Sequence, residues 1–342
     1  MNIEELSVKK KKGVFPTVYL SDSSDSAVNL AVEESLLSSI PQGEKLLFLY
    51  ENNPAVVIGR FQNPWRECRT GMVRRSAVAL RRRISGGGTV VHGPGNLNIS
   101  IISGTQVPDK EKNLFFAIRA LSRLGVAVDL NGRFDLNLNI TEGEKTGVFK
   151  VSGSAFRQTA RSSMHHFTLL VNADLGKLGL FLYNPNRVFK TRSVASNPSP
   201  VANLHDMLPG LRVSDVIDVL TTEWSPSVVP DHIGLKDFEK FPGFQDAQKR
   251  LVSDEWTWEK TPKFRESISC LNGEGDMSFN LEVCDGRISE ILGPVNTDFL
   301  IGCPYQGLDI LAAFKGEAPQ WLNALAELVD GDGTDLRPDS VS

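Results

Sequence analysis

The chain predicts an α+β fold: a mixed β-sheet flanked by helices, with a small C-terminal α+β domain appended. Three observations carry this. Short β-branched runs follow one another with only turn residues between them, which makes the sheet at least partly antiparallel. Amphipathic stretches at helical spacing separate other strands. The length of 342 residues fits two domains, and the texture changes after about residue 205 and again after about residue 266.

The stretch "TVYLSDSSDSAVNLAVEESLLSSI" reads as a strand, a capping Ser/Asp cluster and a helix with Val28, Ala31, Val32, Leu36 and Leu37 at helical spacing. Asn29 and Glu33, one turn apart, read as polar side chains facing solvent. Leu47 to Tyr50 and Ala55 to Ile58 are strands separated by an Asn-Asn-Pro turn. Then "SAVALRRRISGGGTVVHGPGNLNISIIS" runs from a strand into a glycine turn. A strand over Thr89 to Val91, a turn at Gly93-Pro94-Gly95 and an alternating strand over Leu97 to Ile102 follow. "NLFFAIRALSRLGV" is an amphipathic helix ended by Gly125. "FKVSGSAFRQ" and "MHHFTLLVNAD" are two further strands.

Beyond residue 205, "VSDVIDVLTTEW" is a capped helix, and a charged helical connector from Leu235 to Phe264 is interrupted at Pro242-Gly243. "MSFNLEVCDGRISEIL" alternates as a hairpin about Asp285-Gly286, a type I′ pair. Helices are expected at Gly307 to Phe314 and Pro319 to Leu328. The division expected is a catalytic domain over 1–248 and a small accessory domain over 249–342, whose acidic tail is predicted to be disordered.

A net charge of −4 and a pI near 5.8 give no bulk attraction to nucleic acid, so anion recognition has to be local. No run approaches the ~20 apolar residues of a membrane span. The four cysteines, Cys68, Cys270, Cys284 and Cys303, lack CxxC spacing; neither a zinc knuckle nor a disulfide framework is indicated, and a reducing interior is expected. Four consecutive lysines stand near the start, at Lys9 to Lys12, but Glu4 and Glu5 do not suit a transit peptide.

Chemistry concentrates in "RRRISGGGTVVHGPGNLN". Neither GxxxxGK[ST] nor GxGxxG before a helix is present, and a strand follows the glycines. Three glycines between strands let main-chain N–H groups approach a ligand while Arg82 or Arg83 neutralises its charge. The alternative is a tight hairpin with solvated arginines. Lys150, followed by Ser152, Gly153, Ser154 and Ala155, is either a charged group facing space left by small neighbours or an edge-strand lysine. His165 and His166 point to opposite faces of a strand, which argues against a shared metal; one faces the cleft and the other packs. Spacing singles out no Ser/His/Asp set.

Taken in order, "RRISGGGTVVHGPGNLN", "RFDLNL", "FKVSGSA" and "HHFTLLVNADL", with "NLAVEESLL" and "VVIGRFQNPWREC", resemble the lipoate–protein ligase and lipoyltransferase family over Val18 to Phe264. The resemblance implies a catalytic domain like that of biotin and lipoate ligases, and a lipoyl-AMP intermediate. It makes Lys150 the catalytic residue, bonding the acyl carbonyl and phosphate oxygens while a lysine ε-amine attacks. Arg83, Ser85, Gly86, Gly87, Gly88 and Val91 would line the acyl-adenylate site with His92 and Asn96 in support. Ser152 and Gly153 come with the Lys150 block. Arg133, Asp135 and Thr168 would contact the nucleotide side with Asn197 and Ser199.

Two departures steer the reading within the family. Phe134 stands where ATP-using ligases carry Asn, and the loop between Ser193 and Leu204 has no arginine. Both resemble the mitochondrial lipoyltransferases, which take a preformed donor, and a mitochondrial location follows from that resemblance alone. The expected activity moves a lipoyl group from lipoyl-AMP, or from a lipoylated glycine-cleavage H protein, to lysines on lipoyl domains of 2-oxoacid dehydrogenase complexes. Alternatives are an ATP-dependent lipoate–protein ligase, a biotin or octanoyl transferase, and a non-catalytic scaffold binding lipoyl domains. No tightly bound cofactor is expected, magnesium entering only with ATP activation near Asp135. A monomer with a basic rim of Lys190, Arg192 and Arg157 is expected, with neither nucleic acid nor membrane as partner.

Overall fold

The computed structural model describes residues 17–141, 146–182, 187–272 and 275–331; the lysine-rich start and most of the acidic tail lie outside them. In chain order the strands are β1 (Thr17–Ser21), β2 (Lys45–Glu51), β3 (Ala55–Ile58), β4 (Ala79–Arg82), β5 (Val90–His92) and β6 (Asn96–Ser103). There follow β7 (Asp129–Leu130), β8 (Leu136–Ile140), β9 (Gly147–Ser152), β10 (Ser154–Gln158) and β11 (Ser163–Leu170). The chain continues through β12 (Phe189–Thr191), β13 (Asp231–Ile233), β14 (Phe264–Asn272), β15 (Gly275–Cys284) and β16 (Arg287–Leu292). They build a six-stranded sheet ordered β10-β11-β6-β2-β1-β13, three-stranded sheets β4-β3-β5 and β7-β8-β9, and a C-terminal sheet β12-β14-β15-β16. The six-stranded sheet is mixed: β1 runs parallel to β2 and β13, whereas β6 is antiparallel to β2 and β11. The expected α+β architecture is the observed one.

Alternation along β2 explains why helices cover both faces. Leu47 and Leu49 point to one side, where they pack with the helices α2 (Lys110–Ser122) and α3 (Val213–Trp224) through Leu114, Leu121 and Leu220. Phe48 and Tyr50 point to the other, against α1 (Ser26–Ser39) through Val28, Ala31 and Val32. Asp25 caps α1 by accepting from the amides of Ala27 and Val28. Because α1 is covered on its polar side too, Asn29 and Glu33 are 0% and 1% exposed, not surface groups as expected.

Two connections differ from a local reading. The Asn-Asn-Pro turn does not close a hairpin: β2 lies in the six-stranded sheet, while β3 pairs with β4 and β5. The glycine run joins β4 to β5, which flank β3 on opposite sides, and so crosses the end of β3. A Cβ on Gly59, just past β3, would sit 2.2 Å from the carbonyl oxygen of Gly87; only glycine permits that crossing.

A third core joins this small sheet to the C-terminal sheet. Val56, Ile58, Trp65, Leu80 and Val91 share it with Phe264, Phe279, Leu281, Tyr305 and Leu322. At the seam the largely covered Arg187 grips Glu266 bidentately at 2.6 and 2.7 Å, and the Tyr305 hydroxyl donates to the same carboxylate at 2.6 Å. The hairpin at Asp285-Gly286 has positive φ at both residues, 49° and 69°, as a type I′ turn requires.

Candidate active site

A cavity of about 220 Å³ opens where the glycine loop, the strand ends around Gly153, β11 and the loop after Arg192 converge. Lys150 lies on its wall. Its ammonium is 2.9 Å from Asp135 Oδ1, and its side chain is 27% exposed; it stands on β9, the outer strand of its sheet, as an edge-strand lysine that also faces the cavity. A Cβ on Gly153 would lie 3.2 Å from Lys150 Cε and 3.3 Å from Nζ; the missing side chain is the space the lysine occupies. Thr168 closes the break between β9 and β10, its hydroxyl accepting from the Gly153 amide and its own amide donating to the Gly153 carbonyl.

Asp135 is aimed by a tight turn. The Asn131 side chain accepts from the amides of Arg133 and Asp135, and Phe134 between them takes a left-handed φ of 63°. That conformation costs a bulky residue roughly 1–2 kcal/mol. Edge-on packing of the Phe134 ring against Phe156, with centroids 5.9 Å apart, offsets part of it.

The arginines are not solvated. Arg82, 0% exposed, donates to the carbonyls of Arg60, Gln62, Trp256 and Thr257 and to the Thr261 hydroxyl, tying the connector to the sheet away from the cavity. Burial without a carboxylate partner lowers its pKa to about 10. Arg83 turns the other way and lines the cavity; four of its five N–H donors go to the carbonyls of Val57, Gly86 and Gly88 and to Ser85 Oγ. It shapes the glycine loop; burial likewise lowers its pKa to about 10. Among the described residues, the amides of Gly86, Gly87 and Gly88 donate to no protein acceptor, as a ligand-facing loop requires.

Ser196 pins the neighbouring loop over the glycines, accepting from the Thr89 amide at 2.9 Å and from Gln62 Nε2 at 3.1 Å. The same loop docks on β9, where the Lys150 amide donates to Pro200 and the Ala202 amide donates to the Lys150 carbonyl.

The two histidines divide as alternation dictates. His166 lines the cavity; His165 is buried between Phe156 and Phe167, at centroid distances of 4.4 and 5.2 Å. Behind the wall, Glu33 receives His166 Nδ1 at 3.0 Å, the Tyr50 hydroxyl at 3.0 Å and the Ser100 hydroxyl. Burial alone would raise the Glu33 pKa, yet the His166 imidazole and these hydrogen bonds hold it below the usual carboxylate value.

Of the residues singled out in the sequence, Arg83, Gly88, His92, Arg133, Asp135, Lys150, Gly153, Thr168 and Asn197 line the cavity. Ser85, Gly86 and Gly87 stand behind or beside it in the Arg83 network. Val91 does not reach it: in β5 the alternate residues Val90 and His92 face the cavity, and Val91 enters the apolar core. Asn96 is buried against Asn98, Ser152 is buried without a hydrogen-bond partner for its hydroxyl, and Ser199 is exposed away from the lining. Of the expected rim residues, Arg157 is on β10 of the six-stranded sheet, Lys190 is on β12 of the C-terminal sheet, and Arg192 follows it. Sequence reasoning missed Glu33, Tyr50, Asn98 and Ser196. Only the helical spacing of Glu33 hinted at any of them. Among the described residues no cluster of three or more His, Cys, Asp or Glu side chains could hold a metal ion.

A profile described as Lipoyl protein ligase A/B catalytic domain matches residues 25–225. Among solved structures, LipL1 of P. falciparum in complex with lipoate is similar with a TM-score of 0.63 and 24% identity, over 93% of this chain and 99% of that one. A bi-partite lipoate protein ligase from Thermoplasma acidophilum, solved with its E2 lipoyl domain, is similar with a TM-score of 0.57 and 21% identity, over 71% of this chain and 95% of that one. Lipoate-protein ligase A bound with ATP is similar with a TM-score of 0.54 and 21% identity, over 72% and 98%. At these identities the structures speak for the fold.

Proposed function

This chain belongs to the lipoyl protein ligase A/B catalytic domain family as an enzyme of the lipoate–protein ligase kind, and from that premise we propose that it is a lipoyltransferase using a preformed acyl donor. Lipoyl-AMP, or a lipoylated H protein, supplies the lipoyl group, and a lysine of a lipoyl domain receives it. One observation carries the choice. Of the three cations on the cavity wall, Arg83 has four of its five donors bound to the glycine loop and β3, which leaves chiefly Lys150, shared with Asp135, and Arg133 for the ligand. That suits the single phosphate of an acyl-adenylate better than the triphosphate of ATP.

Lys150 bonds the acyl carbonyl and a phosphate oxygen, and its charge stabilises the negative charge that builds as the amine attacks. The amide C–N bond forms, the acyl–phosphate C–O bond breaks, and AMP leaves with the electron pair. Orientation in the cavity and the anhydride's own reactivity supply the rest of the acceleration. On this reading the enzyme works as a monomer in mitochondria, beside the 2-oxoacid dehydrogenases it modifies.

The test incubates the purified chain with an unlipoylated lipoyl domain under two donor conditions, read by intact mass: synthetic lipoyl-AMP, and free lipoate with ATP and magnesium. Modification with lipoyl-AMP alone is expected. Modification in both makes the enzyme an ATP-dependent ligase, and modification in neither removes the transferase reading for this donor.

A further inference from the structure

Three arginines from distant parts of the chain gather beside the cavity without lining it. Arg60 follows the crossing at Gly59, and its amide donates to the Ser85 carbonyl at 2.8 Å, where the glycine loop begins. Arg157 stands two residues beyond Ala155 on β10, on the face of the strand by which Ala155 lines the cavity. Arg250, from the helix Phe244–Leu251, pairs with Glu34, one helical turn beyond the cavity residue Leu30 on α1. Burial lowers the Arg60 pKa, and repulsion by Arg157 and Arg250 lowers it further, against the pull of Glu34. Three guanidiniums set against that one carboxylate leave the cluster with two positive charges over. The cluster is also held in place. The Arg60 and Arg250 guanidiniums lie 5.2 and 4.4 Å from the centre of the Trp256 ring, and the Trp256 indole donates to the Arg82 carbonyl at 2.6 Å. Among the described residues the guanidiniums of Arg60 and Arg157 donate to no protein acceptor. Apolar surface adjoins them. Phe61 is 53% and Val194 47% exposed, and the Val194 amide donates to the Phe61 carbonyl at 3.1 Å. Val194 belongs to the loop whose Ser196 and Asn197 line the cavity.

We propose that this surface docks the acceptor lipoyl domain through carboxylates on the face that carries its lysine, an inference that rests on the transfer reading above. A guanidinium presents its N–H groups as a planar fork that matches a carboxylate, and an arginine already laid on an aromatic ring loses little freedom on binding. Exposed aromatic and arginine side chains together are the composition of a protein interface. Position selects the occupant. A domain seated on Arg60, Phe61 and Arg157 borders both the glycine loop and the loop after Arg192, so its lysine is delivered at the mouth of the cavity. The chain as a whole carries a net charge of −4, so its bulk field gives an acidic domain no attraction. A local patch has to supply it, and the two unspent guanidiniums do so.

A calorimetric titration of the full chain with the unlipoylated lipoyl domain of a 2-oxoacid dehydrogenase, at about 25 and about 300 mM salt, tests this. The wild-type chain is expected to bind about tenfold more tightly at the lower salt. Arg60→Gln and Arg157→Gln should each weaken binding about threefold there, and the double variant about tenfold, with most of the salt dependence gone. Arg250 is left in place, because its loss would strand Glu34. In steady-state transfer from lipoyl-AMP, the double variant should show the same rise in KM for the lipoyl domain with kcat and lipoyl-AMP affinity unchanged. That split separates docking from a role in the cavity. Arg157→Gln carries the test by itself if loss of the Trp256 stack unsettles Arg60→Gln. Equal affinity in wild type and double variant overturns the surface, as does wild-type binding that ignores salt. A fall in lipoyl-AMP affinity as large as the fall in lipoyl-domain affinity overturns it too, since the arginines then serve the donor. A chain that binds the domain in this arginine-dependent way yet transfers from no donor supports the surface and removes the transferase reading. Transfer at the wild-type KM without the two arginines keeps that reading and overturns the surface.

Discussion

Lys150 Nζ lies 2.9 Å from Asp135 Oδ1, an ion pair between a residue of β9 and the residue just before β8 on the wall of the cavity. The carboxylate holds the ammonium at the cavity and leaves it donors for a ligand. Lys150→Ala is expected to abolish transfer with the fold intact, since the side chain is partly exposed. Asp135→Asn should lower the rate by at least tenfold through misplacement of the lysine. Intact mass of the lipoyl domain reads the first effect, and a thermal melt checks the fold.

Gly153→Ala is a finer probe of the same geometry. The added methyl would stand 3.2–3.3 Å from the end of Lys150, tighter than ordinary contact, so the lysine has to move by a few tenths of an ångström. A loss of about tenfold or more in kcat is expected, with stability little changed. Full activity would mean that Lys150 works from another position.

Arg83→Ala removes the guanidinium that gathers three carbonyls and the Ser85 hydroxyl. Leaving these buried acceptors unpaired should cost about 2–3 kcal/mol or more. Donor affinity should weaken with it, as the loop amides lose their alignment. Urea unfolding and a lipoyl-AMP binding titration read the two effects separately.

His92 and His165 are neutral in the fold, and the hydrogen-bond chains say why. Asn29 donates to Asn52 Oδ1, so Asn52 Nδ2 donates to His92 Nδ1; Lys45 donates to Asn113 Oδ1, so Asn113 Nδ2 donates to His165 Nδ1. Burial pushes both pKa values down to about 3. The unfolded chain therefore binds protons that the fold refuses. Stability is full above about pH 6.5 and falls as pH drops toward 3, by about 1.4 kcal/mol per unit for each histidine. His165→Gln should take one such contribution out of the slope measured by urea unfolding between pH 6 and 5.

At the seam between sheets, Arg187→Met strands the Glu266 carboxylate, which is 1% exposed, with only Tyr305 for company. A loss of about 3–5 kcal/mol is expected. Pairing it with Glu266→Leu should recover much of that, because the uncompensated charge is then gone. Denaturant midpoints of the single and double variants decide it.

Much of this protein is legible along the chain. Strand alternation, helix periodicity, the Asp285-Gly286 turn and the strand placement of Lys150 are local properties, set by side-chain direction and backbone preference within a few residues. So is the division between His165 and His166, because adjacent strand residues must face opposite ways. Partnership across the fold is a different kind of fact. Whether Arg82 or Arg83 turns to the cavity depends on which carbonyls wait at the end of β3 and in the connector 174 residues away. Val91 missed the cavity by one step of alternation, since pairing with β3 set which face of β5 looks inward. Glu33 looked like a surface residue because its helix has polar residues on the side that the sheet later covers. A buried carboxylate is tolerable only when distant residues bring it donors, and Tyr50, Ser100 and His166 are neighbours of Glu33 only once the sheet has formed.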